Sequence, residues 1–134
     1  MNAGRILRNA GYDTDVLRVR LAPVDPDRVN IYPASAMMRR LWLKGIQGVT
    51  IHNLVFVDRE VMIGDPKRLG RLVIHELVHV RQFSDAGYIG FMADYIRDYA
   101  GGLLAGKRLR QAYLDVAAER EARELTAELV RAAS

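Results

Sequence analysis

In the run Leu72-Val73-Ile74-His75-Glu76-Leu77-Val78-His79-Val80, the only polar residues are His75, Glu76 and His79. Imidazoles four positions apart stand one helical turn above each other, so both can face a single cation. Glu76 lies about 100° around the helix from His75. It can therefore stand beside that cation without ligating it, within reach of a water molecule. Apolar residues cover nearly the whole circumference, which predicts a buried helix. Burying three polar side chains together costs several kcal/mol unless each finds a strong partner. A shared cation is the economical explanation.

A catalytic cation needs a third protein ligand and one open position. The chain contains no cysteine, so that ligand must be His, Asp or Glu. His52, the third of three histidines, lies in a strand-like stretch and reads as a surface or structural residue. The better source is the C-terminal segment. At 3.6 residues per turn, Ala112, Val116, Ala122, Thr126, Leu129 and Val130 share one face, and Glu119 falls in its middle. Glu121 instead groups with Glu124 and Glu128 on a charged side, where water suffices. Glu119 is the expected third ligand, with Glu121 the fallback.

These residues need a frame. Asp65-Pro66 is a strong helix start, with Asp65 as cap and Pro66 in the first turn, and predicts a helix from Pro66 to about Ser84. Two further helices are expected, over Tyr88–Ala100 with Gly101-Gly102 as the stop, and over about Lys107–Val130. Upstream, Val49-Thr50-Ile51 and Leu54-Val55-Phe56-Val57 read as extended segments. The β-branched, partly alternating run Val16–Leu21 suggests another strand. Ala34–Lys44 has the spacing of a short helix stopped by Gly45, with Met37, Met38, Leu41 and Trp42 as a core stripe. Residues 1–15 read as a short helix or a loose arm. The expectation is an α+β fold: a small, mainly antiparallel sheet followed by three helices, in one domain over 1–134.

Composition narrows the partners. Of 134 residues, half are hydrophobic and 27% charged, an ordinary globular balance. The net charge of +4 is carried by dispersed pairs such as Arg39-Arg40, Lys67-Arg68 and Lys107-Arg108. With no reader motif for nucleic acid, they read as solvated surface, and no nucleic-acid partner is expected. The most apolar stretch, Tyr88–Gly106, holds Asp94, Arg97 and Asp98, which argues against a membrane span. The first residues lack the apolar centre of a secretory signal, so a cytoplasmic location is the default.

The segment His75-Glu76-Leu77-Val78-His79 fits the His-Glu-x-x-His pattern of zinc metalloproteases. With Glu119-Arg120-Glu121-Ala122-Arg123, it resembles the zincin metallopeptidases, in particular the gluzincin branch. There the third ligand is a Glu on a later helix, often within Glu-x-x-Ala-Asp. Here Arg123 stands in place of the final Asp, which leaves the group that orients a ligating His unassigned. Over roughly residues 49 to 130 the pattern is most similar to small bacterial metallopeptidases related to the eCIS-core domain. A second resemblance is to the ImmA/IrrE-like peptidases, whose two motifs lie closer together than the 40 positions between His79 and Glu119.

The resemblance implies a minimal zincin-like domain that hydrolyses peptide bonds in a peptide or protein substrate. Zn²⁺ would be held by His75, His79 and Glu119, with Glu76 as general base. It also implies that the strand before the metal helix is an edge to which a peptide can add. Tyr95, Tyr99 and Tyr113 are the available hydroxyls for an oxyanion. The alternatives are a non-catalytic zinc-binding regulatory or interaction module, a peptidase kept latent by its N-terminal segment, and a basic nucleic-acid binder.

Overall fold

Asp13, Asp25, Asp58 and Asp65 each precede a helical turn, and each accepts hydrogen bonds from its first free amides. These caps set much of the chain's punctuation. A computed structural model describes residues 1–41 and 46–134. Its helices are α1 (Ala3–Asn9), α2 (Thr14–Arg20), α3 (Ala36–Leu41), α4 (Arg59–Met62), α5 (Pro66–Ala86), α6 (Tyr88–Leu104), α7 (Leu109–Asp115) and α8 (Ala117–Ala133). The strands are β1 (Ile31–Pro33), β2 (Gly48–Ile51) and β3 (Leu54–Val57). The fold is α+β, with one small sheet among many helices.

The sheet runs in the order β1-β3-β2. β2 and β3 form an antiparallel hairpin, whereas β1 lies parallel to β3. The sheet is therefore mixed rather than mainly antiparallel, and two helices precede its first strand. The hairpin turns through His52-Asn53, and His52 takes the left-handed conformation (φ 58°) that so tight a turn demands. That is the structural role of His52; it takes no part in the metal-ligating group.

Val16–Leu21 belongs to helix α2 and its cap, not to a strand. Asp13 caps it, and Leu17 and Leu21, four apart, are fully buried while Val19 between them is three-quarters exposed. A strand would have buried all three on one face. Residues 1–15 are not a loose arm either, because α1 lays Ala3, Ile6 and Leu7 into the core. It approaches α5 so closely that a Cβ on Gly70 would stand 2.7 Å from the Ala10 methyl.

The core lies between this N-terminal layer, the central β3 (Val55, Val57) and the buried faces of α5 and α8. α5 matches expectation at its start and runs to Ala86, where Gly87 (φ 75°) ends it. α6 passes through Gly101-Gly102 and ends at Leu104, with Gly106 (φ 87°) turning the chain just beyond its Ala105 cap. Gly102 is a contact rather than a stop, since a Cβ there would press on Ala112 of α7 at 3.1 Å. The helix expected over 107–130 is broken at Val116, whose backbone is extended (φ −55°, ψ 130°). The Asp98 carboxylate on α6 accepts the freed Ala117 N–H at 3.2 Å.

Met37 and Leu41 of α3 do not form a core stripe. Both are largely exposed, and Leu41 borders a cavity instead. Trp42, Lys44 and Gly45 lie outside the described residues. Among the described residues no helix is long and apolar enough to cross a membrane.

Candidate metal centre

α5 presents His75 and His79 one turn apart, with ring centroids 4.9 Å from each other and nearly perpendicular planes. α8 packs alongside and brings Glu119 across from them. Glu119 Oε2 lies 3.4 Å from His75 Nε2 and 3.2 Å from His79 Nε2. One ligand atom from each residue falls within 4.8 Å of the other two. His79 and Glu119 are buried and His75 is partly so. This buried group of two imidazoles and a carboxylate can hold a metal ion. Of the two carboxylates singled out in the sequence, Glu119 is brought to the imidazole pair and Glu121 is not. Glu121 is exposed, and among the described residues it accepts only from Gln82 Nε2, at 3.3 Å.

Gln82, one turn further along α5, contacts His79. Its Oε1 lies 2.7 Å from His79 Nδ1, and its amide nitrogen donates to the Ala118 carbonyl at 3.0 Å. A carbonyl can only accept, so the Gln82 amide cannot be turned around. His79 therefore carries a proton on Nδ1, and in its neutral form it presents the Nε2 lone pair to a cation shared with Glu119. Arg123 serves elsewhere: it donates to the Leu114 carbonyl at 2.6 Å, closing the end of α7. Gln82 falls three residues past His79, on the same helix face, so the spacing could have disclosed it.

Glu76 is buried against β2. The Thr50 hydroxyl donates to its Oε2 at 2.7 Å, and a Cβ on Gly48 would stand 2.6 Å from its Oε1. Gly48 is thus required for the close approach of strand and carboxylate. Nothing in the sequence pointed to Thr50 or Gly48, because their roles depend on a contact 26 positions away.

The electrostatics follow from this crowding. Burial raises the Glu76 carboxyl above its usual range, and the nearby imidazoles and Thr50 offset this only in part. Burial alone would also make His79 lose its proton, but its hydrogen bond to Glu119 and that residue's charge outweigh it. The imidazole is raised to about 9. Glu119 is held well below the carboxylate range, since the two imidazoles overcome its own burial. Negative charge is concentrated where the imidazoles converge, and a field that holds a proton there favours a divalent cation more strongly.

Two cavities, of about 420 and 520 Å³, meet at this centre. Glu76 and Tyr113 border both, His75 the first, and His79 and Glu119 the second. Tyr95 is committed to the centre, donating to Glu119 Oε1 at 3.1 Å. Burial, followed by the charge of Glu119, raises both Tyr95 and Tyr113 far above the phenol range, so each stays a hydroxyl donor. Tyr99 lines only the second cavity.

Comparison with protein families, curated proteins and solved structures finds no match to this chain. The functional reading accordingly stands on the residues and their arrangement.

Proposed function

We propose that this chain is a zinc-dependent peptidase of the zincin type, with His75, His79 and Glu119 holding the ion and Glu76 acting as general base. The observation that carries the proposal is the spacing of the donor atoms. Zn–N and Zn–O bonds of about 2.0–2.1 Å in a tetrahedral site put neighbouring ligand atoms about 3.3 Å apart. Two of the three spacings match, with the Glu119 oxygen 3.4 and 3.2 Å from the two imidazole nitrogens, and the three ligand atoms together lie within 4.8 Å of one another. A ligand set of two His and one Glu, with His79 fixed in the ligating tautomer by Gln82, suits zinc.

When bound, zinc supplies a Lewis acid toward water and the scissile carbonyl. The residues of the chain do the rest. Glu76 accepts the proton released by the attacking water and passes it to the leaving amine nitrogen. Its raised pKa favours that exchange, because a base works best when its pKa approaches the operating pH. Thr50 holds one of its oxygens in place. Tyr113, protonated and facing both cavities, is the hydroxyl available to the charge that develops on the carbonyl oxygen.

The rival reading is a zinc site that only stabilises the fold, and the deep burial of Glu76 favours it. Structural sites are usually closed by four protein ligands, however, whereas three converge here among the described residues, with cavities on both sides. Glu76→Gln separates the two. It should keep about one zinc per chain and the wild-type fold while abolishing hydrolysis of a mixed peptide library. His75→Ala and Glu119→Ala should lose the metal. Metal loss in neither would end the zinc reading, and wild-type protein inert toward every peptide would leave the stabilising role.

A further inference from the structure

The two cavities that meet at the metal centre are opposite in character. The first is rimmed by Arg68 and Arg71 of α5, Arg110 of α7 and Arg123 of α8, with Glu76 as its sole acidic residue among the described residues. Among the described residues, Arg68, Arg71 and Arg123 form no ion pair with a carboxylate. Arg68 and Arg71 are exposed at the cavity mouth. The second cavity is apolar, walled by Phe91, Met92, Ile96 and Leu103 of α6 and by Val49 and Ile51 of β2. Its only charges belong to the centre itself. The guanidinium groups of Arg68, Arg71 and Arg123, brought from two helices to one rim, repel one another, and an anion between them relieves that repulsion. The wide apolar wall stays exposed to water unless an apolar group covers it.

We propose that the site selects peptides with a carboxylate on one side of the scissile bond and large apolar side chains on the other. This rests on the peptidase reading above. The strand that borders both cavities sets the polarity. β2 is an edge of the sheet among the described residues, with Gln47 and Gly48 beside the cationic cavity and Val49 and Ile51 beside the apolar one. A peptide adding antiparallel to β2, the more stable ladder, runs from the apolar cavity toward the arginines. Its apolar residues therefore precede the scissile bond, and its carboxylate follows it. That carboxylate is an Asp or Glu side chain or the peptide's own C-terminus, since each presents the same two oxygens to a guanidinium fork.

The test uses a matched set of peptides with Phe or Leu before the scissile bond and Glu, Gln or Lys after it. Each is made with a free or an amidated C-terminus. Cleavage is measured with the zinc-loaded wild-type protein, and binding by fluorescence anisotropy with zinc-loaded Glu76→Gln. We expect the Glu peptide to exceed the Lys peptide about tenfold in both kcat/KM and affinity, with a preference that shrinks as salt rises. A preference that follows the free C-terminus instead assigns the arginines to the terminal carboxylate. Arg68→Glu with Arg71→Glu should level the order, since Arg110 and Arg123 remain, and the milder Arg68→Gln with Arg71→Gln should reduce the preference without abolishing it. Both pairs lie on an exposed helix face.

Cleavage without charge preference, or variants that affect Glu and Lys peptides equally, would overturn the inference and leave the peptidase reading intact. Selective binding to Glu76→Gln with no wild-type turnover would sustain the ligand class and remove the peptidase reading. No binding to any peptide would refute both.

Discussion

Replacing Gln82 by Leu tests the metal centre at a residue that touches neither the ion nor the substrate. Gln82 accepts from His79 Nδ1 at 2.7 Å and is fixed in that orientation by its 3.0 Å bond to the Ala118 carbonyl. Leucine fills a similar volume and offers no acceptor. The imidazole, 5% exposed, then has two choices. It can keep its proton on Nδ1 and bury an unpaired donor, which costs about 1–3 kcal/mol. Otherwise it moves the proton to Nε2 and gives up the lone pair that ligates. Either way the loss falls on metal binding, and removing such an orienting partner typically costs 10–100-fold in affinity, or about 1.4–2.7 kcal/mol. The burial and short bond here point to the upper end. Gln82→Glu is the companion variant. It keeps an acceptor for His79 but loses the donor to Ala118 and meets Glu121, so zinc affinity should hold while thermal stability falls. Competition against a chromophoric chelator at fixed pH reads the affinity, and circular dichroism verifies the fold. Zinc bound by Gln82→Leu as tightly as by wild type would refute the reasoning. So would Gln82→Glu falling as low as Gln82→Leu, because the donor arm and not the acceptor would then be what matters.

Two further outcomes follow from the same geometry. With zinc stripped by chelator, the raised His79 pKa contributes stability that is complete below 6.5 and lost as pH climbs through about 9. Its ceiling is on the order of 3 kcal/mol. Glu119, shifted the other way, contributes above the ordinary carboxylate range and loses its share as pH falls below it. Zinc requires a neutral imidazole, so its stabilisation should grow over the same window from 6.5 to 9. Thermal melts with and without zinc should thus diverge as pH rises, and parallel curves would contradict the assignment. Gly48→Ala pushes a methyl to 2.6 Å from Glu76 Oε1. Displacing the base by about 1 Å can cost up to 100-fold in turnover, while zinc affinity stays near wild type. Unchanged turnover would show that Glu76 is not the base.

The parts of this molecule legible in its sequence are those whose causes are local. α5 announces itself through Asp65-Pro66 and an apolar run with two histidines one turn apart. Glu119 stands out as a carboxylate amid small apolar residues, which fixes its face whether or not the helix around it is continuous. The two extended runs of β2 and β3 are readable in the sequence, which leaves open whether they are two strands or one interrupted at His52-Asn53; their antiparallel pairing comes from the structure. Where two local signals conflict, propensity misleads. Val16–Leu21 is rich in β-branched residues, but the Asp13 cap and the four-residue spacing of Leu17 and Leu21 make it helical. Contacts distant in sequence are invisible at this level. The parallel pairing of β1 with β3, the Thr50 hydroxyl on Glu76 and the embedding of α1 in the core have no signature in their own segments. Gly102 carries a signal that reads two ways. A glycine ends a helix or lets a neighbour approach, and only the presence of Ala112 decides.

The break at Val116 links these levels. A continuous helix over 107–130 would be a rod of about 36 Å, with Glu119 in mid-helix and the residues before it pointing along the same axis. The extended Val116 instead lets α7 fold against α6 and begins α8 afresh, so that Glu119 falls in its first turn. There the free amides and the positive end of the helix favour a carboxylate by about 0.3–1 kcal/mol, and by more when partly buried. The same break brings Tyr113 of α7 to the junction of the cavities, beside Glu76, and Arg110 to the cationic rim. Asp98 offsets part of the lost helical bonding by accepting from Ala117. An uninterrupted helix would satisfy local propensity better, and its replacement by two shows that this segment is shaped by its packing around the His75, His79 and Glu119 group rather than by its own periodicity.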